Sequence, residues 1–92
     1  MQLIQQKAGT LGVSETLYIT LASPAHLVSI IVDNSSNVTA SATNAASPGA
    51  SSLWSALTFT SNGVATTGPI TGIKLVSNAS GGTYSIAAAH LK

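Results

Sequence analysis

The sequence predicts an all-β protein, a small antiparallel β-sandwich or jelly-roll-like barrel of about 6–8 short strands. Three observations support this prediction. Apolar and polar residues alternate with period two in most of the apolar segments, which is the pattern of a half-buried strand. Turn-forming Gly, Pro, Asn and Asp separate these segments, and successive strands begin about 8–15 residues apart, a spacing typical of sandwiches and small barrels. No segment has convincing helical spacing.

Four strands are predicted in the N-terminal half of the chain. In the second of them Leu17, Ile19 and Leu21 share one face, and Tyr18 lies on the other among threonines. The third is almost continuously apolar, as expected for a strand buried on both faces. The four segments are Leu3–Gln6, Thr16–Leu21, His26–Asp33 and Val38–Thr43.

Three further strands are predicted in the C-terminal half. The first of these places Leu53, Leu57 and Phe59 on one side and Trp54 on the other. The last contains three alanines with helix propensity, but they follow a β-branched residue, and the segment is interpreted as a strand. The three segments are Leu53–Thr60, Ile70–Val76 and Thr83–Leu91.

The connections carry recognisable turn residues. Asn44–Ser52 is rich in Ala, Ser, Pro and Gly and is predicted to be a long, exposed, flexible loop. Asn78–Gly82 is predicted to be a hairpin loop. No internal boundary divides the chain, so residues 1–92 are expected to form a single domain, with residues 1–8 as a candidate extended N-terminal arm.

Composition excludes several classes of protein. Apolar residues make up 45% of the 92 positions and charged residues only 5%, with a net charge of +1 and no cysteine. This apolar content argues against disorder, and three lysines cannot form a phosphate-binding patch, so no nucleic-acid partner is expected. No apolar run approaches 18 residues, so no membrane span is expected. The absence of cysteine removes disulfides and thiolate metal sites.

The same composition favours assembly. The chain has few large apolar side chains for a core and few charged ones for a solvent-exposed surface, and small domains of this kind are often stabilised by oligomerisation. The first residues contain no uninterrupted apolar stretch of signal-peptide length, so synthesis in a host cytoplasm without export is expected.

Few residues are suited to catalysis. A hydrolytic triad would need His26 or His90 with Asp33 or Glu15, but no serine has the surrounding glycine pattern of a nucleophile. Neither histidine has a recognised metal-ligand spacing to another ligand. One route to a metal site remains open, in which a three-fold axis gathers three copies of His90 or of His26. The sequence therefore predicts a protein that is not an enzyme and has no cofactor.

The candidate interface residues are Trp54, Tyr18, Leu3 and Ile4. Trp54 and Tyr18 each lie on the small, polar face of a predicted strand, where a large aromatic side chain is a common interface anchor. The alternative is that both aromatic side chains point into a strand that is buried on both faces. Leu3 and Ile4 are expected to pack on the chain's own sheet or on a neighbouring chain.

The C-terminal third resembles a known class of proteins. Residues 67–75 (TGPITGIKL) followed by residues 77–86 (SNASGGTYSI) are similar to the closing hairpin of small structural proteins of tailed-phage virions, although the alanines at 87–89 depart from that pattern. This resemblance implies a virion structural protein. The preferred version is a decoration (cement) protein that binds and stabilises a capsid lattice, with capsid or other virion proteins as partners and a trimer as the preferred oligomer.

Two alternatives remain open. One is a tail or head-completion component of the same virion. The other is a small module that binds carbohydrate or a host surface, for which Trp54 and Tyr18 would be stacking platforms.

Overall fold

The chain forms one antiparallel sheet of six strands, in a computed structural model that describes residues 2–90 except for the side chain of Thr67. The strands lie side by side in the order β1-β6-β2-β5-β3-β4, and no helix occurs within residues 2–90. The all-β prediction is confirmed. The last residue of the predicted strand Thr83–Leu91 and the first of the candidate arm lie outside the described residues. The strands are β1 (Gln2–Leu11), β2 (Thr16–Val32), β3 (Val38–Thr43), β4 (Ser55–Leu57), β5 (Gly63–Ser77) and β6 (Gly82–His90).

The sheet folds into two layers because its two longest strands, β2 and β5, bend. Residues 16–20 of β2 pair with residues 72–76 of β5, and residues 27–31 pair with residues 63–67, with an irregular register between the two blocks. The first layer contains β1, β6 and the paired residues 27–31 of β2 and 63–67 of β5. The second layer contains the paired residues 16–20 of β2 and 72–76 of β5, with β3 and β4. The molecule measures 38 × 27 × 20 Å, and a thickness of 20 Å fits two layers spaced about 10 Å apart.

The bend in β2 keeps the same face of the strand against the core. Its buried residues have odd numbers before the bend (Ile19, Leu21) and even numbers after it (Val28, Ile30). A shift of one residue moves every later side chain to the opposite face of a strand. The irregular register between the two blocks therefore allows one continuous strand to contribute to both layers, as strands do at the corners of β-sandwiches.

The corner is tightly packed at Gly68. A Cβ atom at this position would overlap the carbonyl oxygen of Ala25, on the facing bend of β2. Only glycine allows the two backbones to approach this closely. The first of the two glycines in residues 67–75 thus has a structural role at the corner.

The two layers share one hydrophobic core. Ile30 in the first layer and Ile73 in the second are both fully buried members of the same cluster. The largest side chains that are almost completely buried are Leu11, Val28, Ile30, Val38, Ile73 and Leu75.

Several predicted boundaries were wrong. The predicted strands Thr16–Leu21 and His26–Asp33, the latter without Asp33, are parts of a single strand, because the residues between them bend without ending the pairing. The predicted strand Leu53–Thr60 is reduced to β4, and Leu53 is 91% exposed instead of lying on an apolar face. The six strands therefore include two long ones of 17 and 15 residues instead of being uniformly short.

Asn78–Gly82 does not close a hairpin. The strand order places β2 between β5 and β6, so this segment crosses from the second layer to the first. Its turn chemistry is as expected, with Ser80 N donating to Asn78 Oδ1 at 2.8 Å and Gly81 at a φ of 68°. Such local turns serve a hairpin and a crossing between layers equally well, which is why the sequence could not distinguish the two.

The N-terminal residues lie in β1, at the edge of the sheet. This strand pairs with β6 from Gln2 opposite His90 to Leu11 opposite Gly82. Leu3 is 55% exposed, whereas Ile4 is half-buried and packs against the core. The other side of β1 carries no neighbouring strand within the described sheet.

Candidate functional site

Tyr18 and Trp54 lie side by side on the outer face of the second layer. Their ring centroids are 5.8 Å apart with an interplanar angle of 46°. This separation is within the range in which aromatic pairs attract each other. Tyr18 is 43% exposed and Trp54 is half-buried, so both rings present surface to solvent.

Lys74 completes this aromatic cluster. It lies opposite Tyr18 in the β2–β5 pairing, and its Nζ is 5.4 Å from the centroid of the Trp54 ring. An ammonium group at this distance from an indole ring is attracted by a cation–π interaction. Three residues from distant parts of the sequence therefore form one surface cluster, Tyr18–Trp54–Lys74.

The loop formed by residues 44–54 holds Trp54 in place. The indole Nε1 donates a hydrogen bond of 3.0 Å to the carbonyl oxygen of Gly49. Gly49 N in turn donates to Ser52 Oγ at 3.0 Å, and Ser52 N donates to Gly49 O at 3.1 Å. The segment predicted to be a flexible exposed loop is therefore organised by its own hydrogen bonds.

The same loop covers part of the outer face of the second layer. Pro48 sits against Gly72, where a Cβ atom would lie only 2.7 Å from the Pro48 Cβ. Thr71 Oγ1 lies 2.6 Å from Ala45 O and 3.2 Å from Thr43 O, so its hydroxyl donates to the start of the loop. Gly72 thus provides the notch that receives Pro48, and Thr71 anchors the chain beside it.

A groove of about 490 Å³ lies next to Trp54. Its walls come from the end of β3, from residues 53–57 and from the bend of β5 at Pro69. A volume of this size is in the range of small-molecule sites. The strongly exposed Leu53 side chain also contributes to its lining.

Among residues 2–90, no loop packs across the outer face of the first layer as residues 44–54 do on the second, and residues 58–60 only line a groove beside it. We define this bare face as the outward side chains of β1, β6 and residues 27–31 of β2, with Ala65 of β5. Ser29 lies between Ala87 on β6 and Ala65 on β5, and Ile31 is 57% exposed. The run His26–Asp33, predicted to be buried on both faces, is buried on one face only. An apolar hollow of about 220 Å³ is lined by Leu3, Leu27, Val28, Ser29, Ala65, Ala87 and Ala89.

The predicted interface residues fall into two groups. Tyr18 and Trp54 come together on the second layer, whereas Leu3 and Ile4 lie on β1 of the first layer. Sequence reasoning missed Lys74, because its contact with Trp54 depends on the path of the loop. The period-two pattern placed Tyr18 outward, but no local signal related it to Trp54.

The residues considered for catalysis are dispersed, with one exception. Glu15 Oε1 accepts a hydrogen bond from Gly12 N at 2.6 Å, and Asp33 Oδ1 accepts one from Thr83 N at 3.0 Å, so each carboxylate binds a nearby backbone amide. His26 and His90 lie close together, with ring centroids 5.6 Å apart. Across residues 2–90, no three His, Cys, Asp or Glu side chains are grouped as a metal site would require.

Residues 2–90 include no helix that is long and apolar enough to cross a membrane.

Comparison with known proteins supports the fold only. No family model matches the chain, and no curated protein matches its sequence. Among solved structures, the chain is similar to the crystal structure of the Yersinia pseudotuberculosis-derived mitogen (YPM), with a TM-score of 0.52 and 14% sequence identity. The match covers 100% of this chain and 90% of the mitogen. At this identity the two proteins share an architecture, and the similarity carries no information about the activity of the chain.

Proposed function

We propose that the protein is a virion structural protein of the decoration type, which binds a phage capsid lattice through its outer surface. The observation that carries the proposal is the Tyr18–Trp54–Lys74 cluster, in which Tyr18 is exposed and the other two side chains are half-buried, on a chain with only 5% charged residues. Large aromatic side chains held in a fixed position are typical anchors of protein interfaces. The resemblance of the C-terminal third to phage structural proteins supports the same function.

The fixed orientation of Trp54 favours a binding role. Its hydrogen bond to Gly49 O and the packing of Pro48 on Gly72 order the side chain before any partner arrives. A pre-organised side chain loses less conformational entropy on binding, so more of its contact energy contributes to affinity. A decoration protein that binds several capsid subunits would stabilise the shell by mass action.

Self-association is part of the proposal. The free edge of β1 and the bare face would be covered if identical subunits met there, with Leu3 and Ile4 reaching the neighbouring chain. A closed ring covers the contacting edge of every subunit, and a trimer is the preferred form. Sedimentation equilibrium at micromolar concentration tests this part, and a stable monomer, both free and after release from the virion, would contradict it.

Binding to particles tests the main proposal. The labelled protein is mixed with capsids of the phage that encodes it, prepared without this protein, and cosedimentation is measured against concentration. Saturable binding is expected, and Trp54→Ala should weaken it by about 2 kcal/mol, roughly thirtyfold, as loss of an interface anchor does. Val13→Ala is the matched control, because Val13 is 69% exposed but lies in the β1–β2 connection. Absence of binding to capsids, together with binding to isolated tails, would contradict the decoration role and favour a tail or head-completion component.

A second candidate function is a module that binds carbohydrate or a host surface. The observation that favours it is the groove of about 490 Å³ that Trp54 lines, together with the Tyr18 ring, whose centroid is 5.8 Å from that of Trp54. Aromatic rings beside a groove can stack on the apolar faces of sugars. A glycan array separates the two functions. Saccharide binding by the isolated protein that is lost on Trp54→Ala would favour the binding module, and absence of binding to every saccharide on the array would favour the capsid-binding function.

A further inference from the structure

The two histidines of the chain form a pair at one end of the sandwich. Leu27 lies opposite Ala89 at the end of the β2–β6 pairing, so the same antiparallel register places His26 opposite His90 one position further. Their ring centroids are 5.6 Å apart, with an interplanar angle of 57°. His26 is exposed and His90 is half-buried, so the space between the rings is open to solvent.

We propose that His26 and His90 together bind a divalent transition-metal ion of the zinc, nickel or copper class. Imidazole nitrogen is a preferred ligand of these ions. Two imidazoles that bind one tetrahedral ion at an N–metal distance of about 2.0–2.1 Å have ring centroids about 5 to 6 Å apart. The observed separation of 5.6 Å lies within this range, so the two rings are as far apart as two imidazoles that share one ion.

Ser23 has a position suited to supporting this site. Its Oγ lies 3.3 Å from His90 Nε2. A metal-bound histidine usually donates its other ring N–H to a nearby oxygen, which fixes the tautomer and the orientation of the ring. When Nε2–H donates to Ser23 Oγ, the lone pair of His90 Nδ1 is available to the metal. Ser23 is then a positioning residue and the two imidazoles are the ligands.

Two protein ligands leave further coordination positions on the ion. Water can occupy them, or histidines of a second copy of the chain can do so, and either arrangement makes an open site. A bound ion would connect the bend of β2 to the end of β6, two segments that lie more than sixty residues apart in the sequence. Occupancy of the site should therefore stabilise the corner of the sandwich.

Titration of the full chain with ZnCl₂ tests the proposal. Calorimetry measures the binding, and the NMR resonances of the two histidine rings show which side chains take part. Saturable binding is expected, and the resonances of both rings should shift. The stoichiometry should be one ion per chain if water completes the coordination, and less than one ion per chain if two copies share the ion. His26→Ala and His90→Ala should each weaken binding at least tenfold. The melting temperature of the wild type should rise with ZnCl₂, and that of either variant should not.

Ser23→Ala tests the positioning role separately, because it keeps both imidazoles while removing the hydroxyl. Its zinc affinity should fall by about tenfold and remain measurable. Circular dichroism of each variant establishes that the fold is intact, and His26→Gln replaces His26→Ala if the latter does not fold. Absence of zinc binding by the wild type, binding unchanged in either histidine variant, or complete loss in Ser23→Ala would each overturn the assignment of the two imidazoles as the ligands.

Discussion

The outer faces of the two layers differ in what covers them. On the second layer, the loop formed by residues 44–54 packs Pro48 on Gly72 and positions Trp54 beside Tyr18. In the described part of the chain no equivalent loop covers the bare face of the first layer, and Ile31 remains 57% exposed there. Both faces belong to strands whose other side is buried in the same core. The comparison shows that one long connection is enough to convert a bare sheet face into a structured surface, whereas the face without such a connection keeps large apolar side chains exposed.

The largest expected effect is at the corner that joins the two faces. Gly68→Ala places a Cβ atom against the carbonyl oxygen of Ala25, and backbone cannot move aside as a flexible side chain can. We expect a loss of about 3 kcal/mol in the free energy of unfolding, the upper end of the range for overpacking. Urea denaturation measures this loss.

Gly49→Ala is the control for that variant. A Cβ atom at Gly49 meets nothing within 4 Å, so the free energy of unfolding should change by less than about 0.5 kcal/mol. Equal effects of the two substitutions would contradict the tight packing of the corner.

The next effect concerns the cover of the second layer. Gly72→Ala fills the notch that receives Pro48, which we expect to displace the loop and to cost about 1–2 kcal/mol of stability. Because the loop also positions Trp54, the tryptophan fluorescence should change in wavelength as well. Gly63→Ala, where a Cβ atom has only ordinary contacts at 3.9 Å, should leave both the stability and the spectrum nearly unchanged. An unaltered spectrum for Gly72→Ala would show that the loop does not depend on the notch.

A smaller effect is expected from the hydrogen bond of the indole. Trp54→Phe keeps an aromatic ring next to Tyr18 but removes the Nε1–H that donates to Gly49 O. Loss of one hydrogen bond of this kind costs about 0.5–1.5 kcal/mol, which urea denaturation can resolve. Particle binding should weaken less than in Trp54→Ala. If Trp54→Ala instead unfolds the chain, Trp54 belongs to the core and the proposed surface role is wrong.

The smallest effect on the monomer is expected on the bare face. Ile31→Lys adds a charge to an exposed position, so the free energy of unfolding should change by no more than about 0.5 kcal/mol. Self-association through this face should nevertheless be lost, because a buried lysine without a partner is costly. Sedimentation equilibrium distinguishes the two effects. Moderate salt should alter assembly of the wild type little, since few charges are available to be screened.

Local pattern located the strands, but it did not give their lengths or their arrangement. The predicted strand Val38–Thr43 agrees with β3, and Ile19 and Leu21 are buried on the face that alternation assigned to them. Period-two alternation reports which side of a strand is apolar, and it contains no information on what lies against the other side. The run His26–Asp33 was expected to be covered on both faces because it is almost continuously apolar, yet only one of its faces is covered.

The candidate site depended on long-range contacts. The outward direction of Tyr18 followed from the pattern, but its neighbours Trp54 and Lys74 come from other segments. The loop that brings Trp54 into place was predicted to be flexible from its Ala, Ser, Pro and Gly content. Composition could not reveal that Pro48 fits a notch at Gly72 on another strand. The pairing of His26 with His90 likewise requires the register of β2 against β6.

The position of β6 between β1 and β2 has a kinetic consequence. β1 and residues 27–32 of β2 are made early, yet both take hydrogen-bond partners from β6, the last strand along the chain. A nascent chain that lacks β6 would expose unpaired strand edges on either side of the empty position. Pairing between sequence-distant strands also makes folding slow, in the range of milliseconds to seconds for all-β domains. The chain is therefore expected to acquire its native structure only after the whole domain has left the ribosome, and to be most prone to aggregation in that interval.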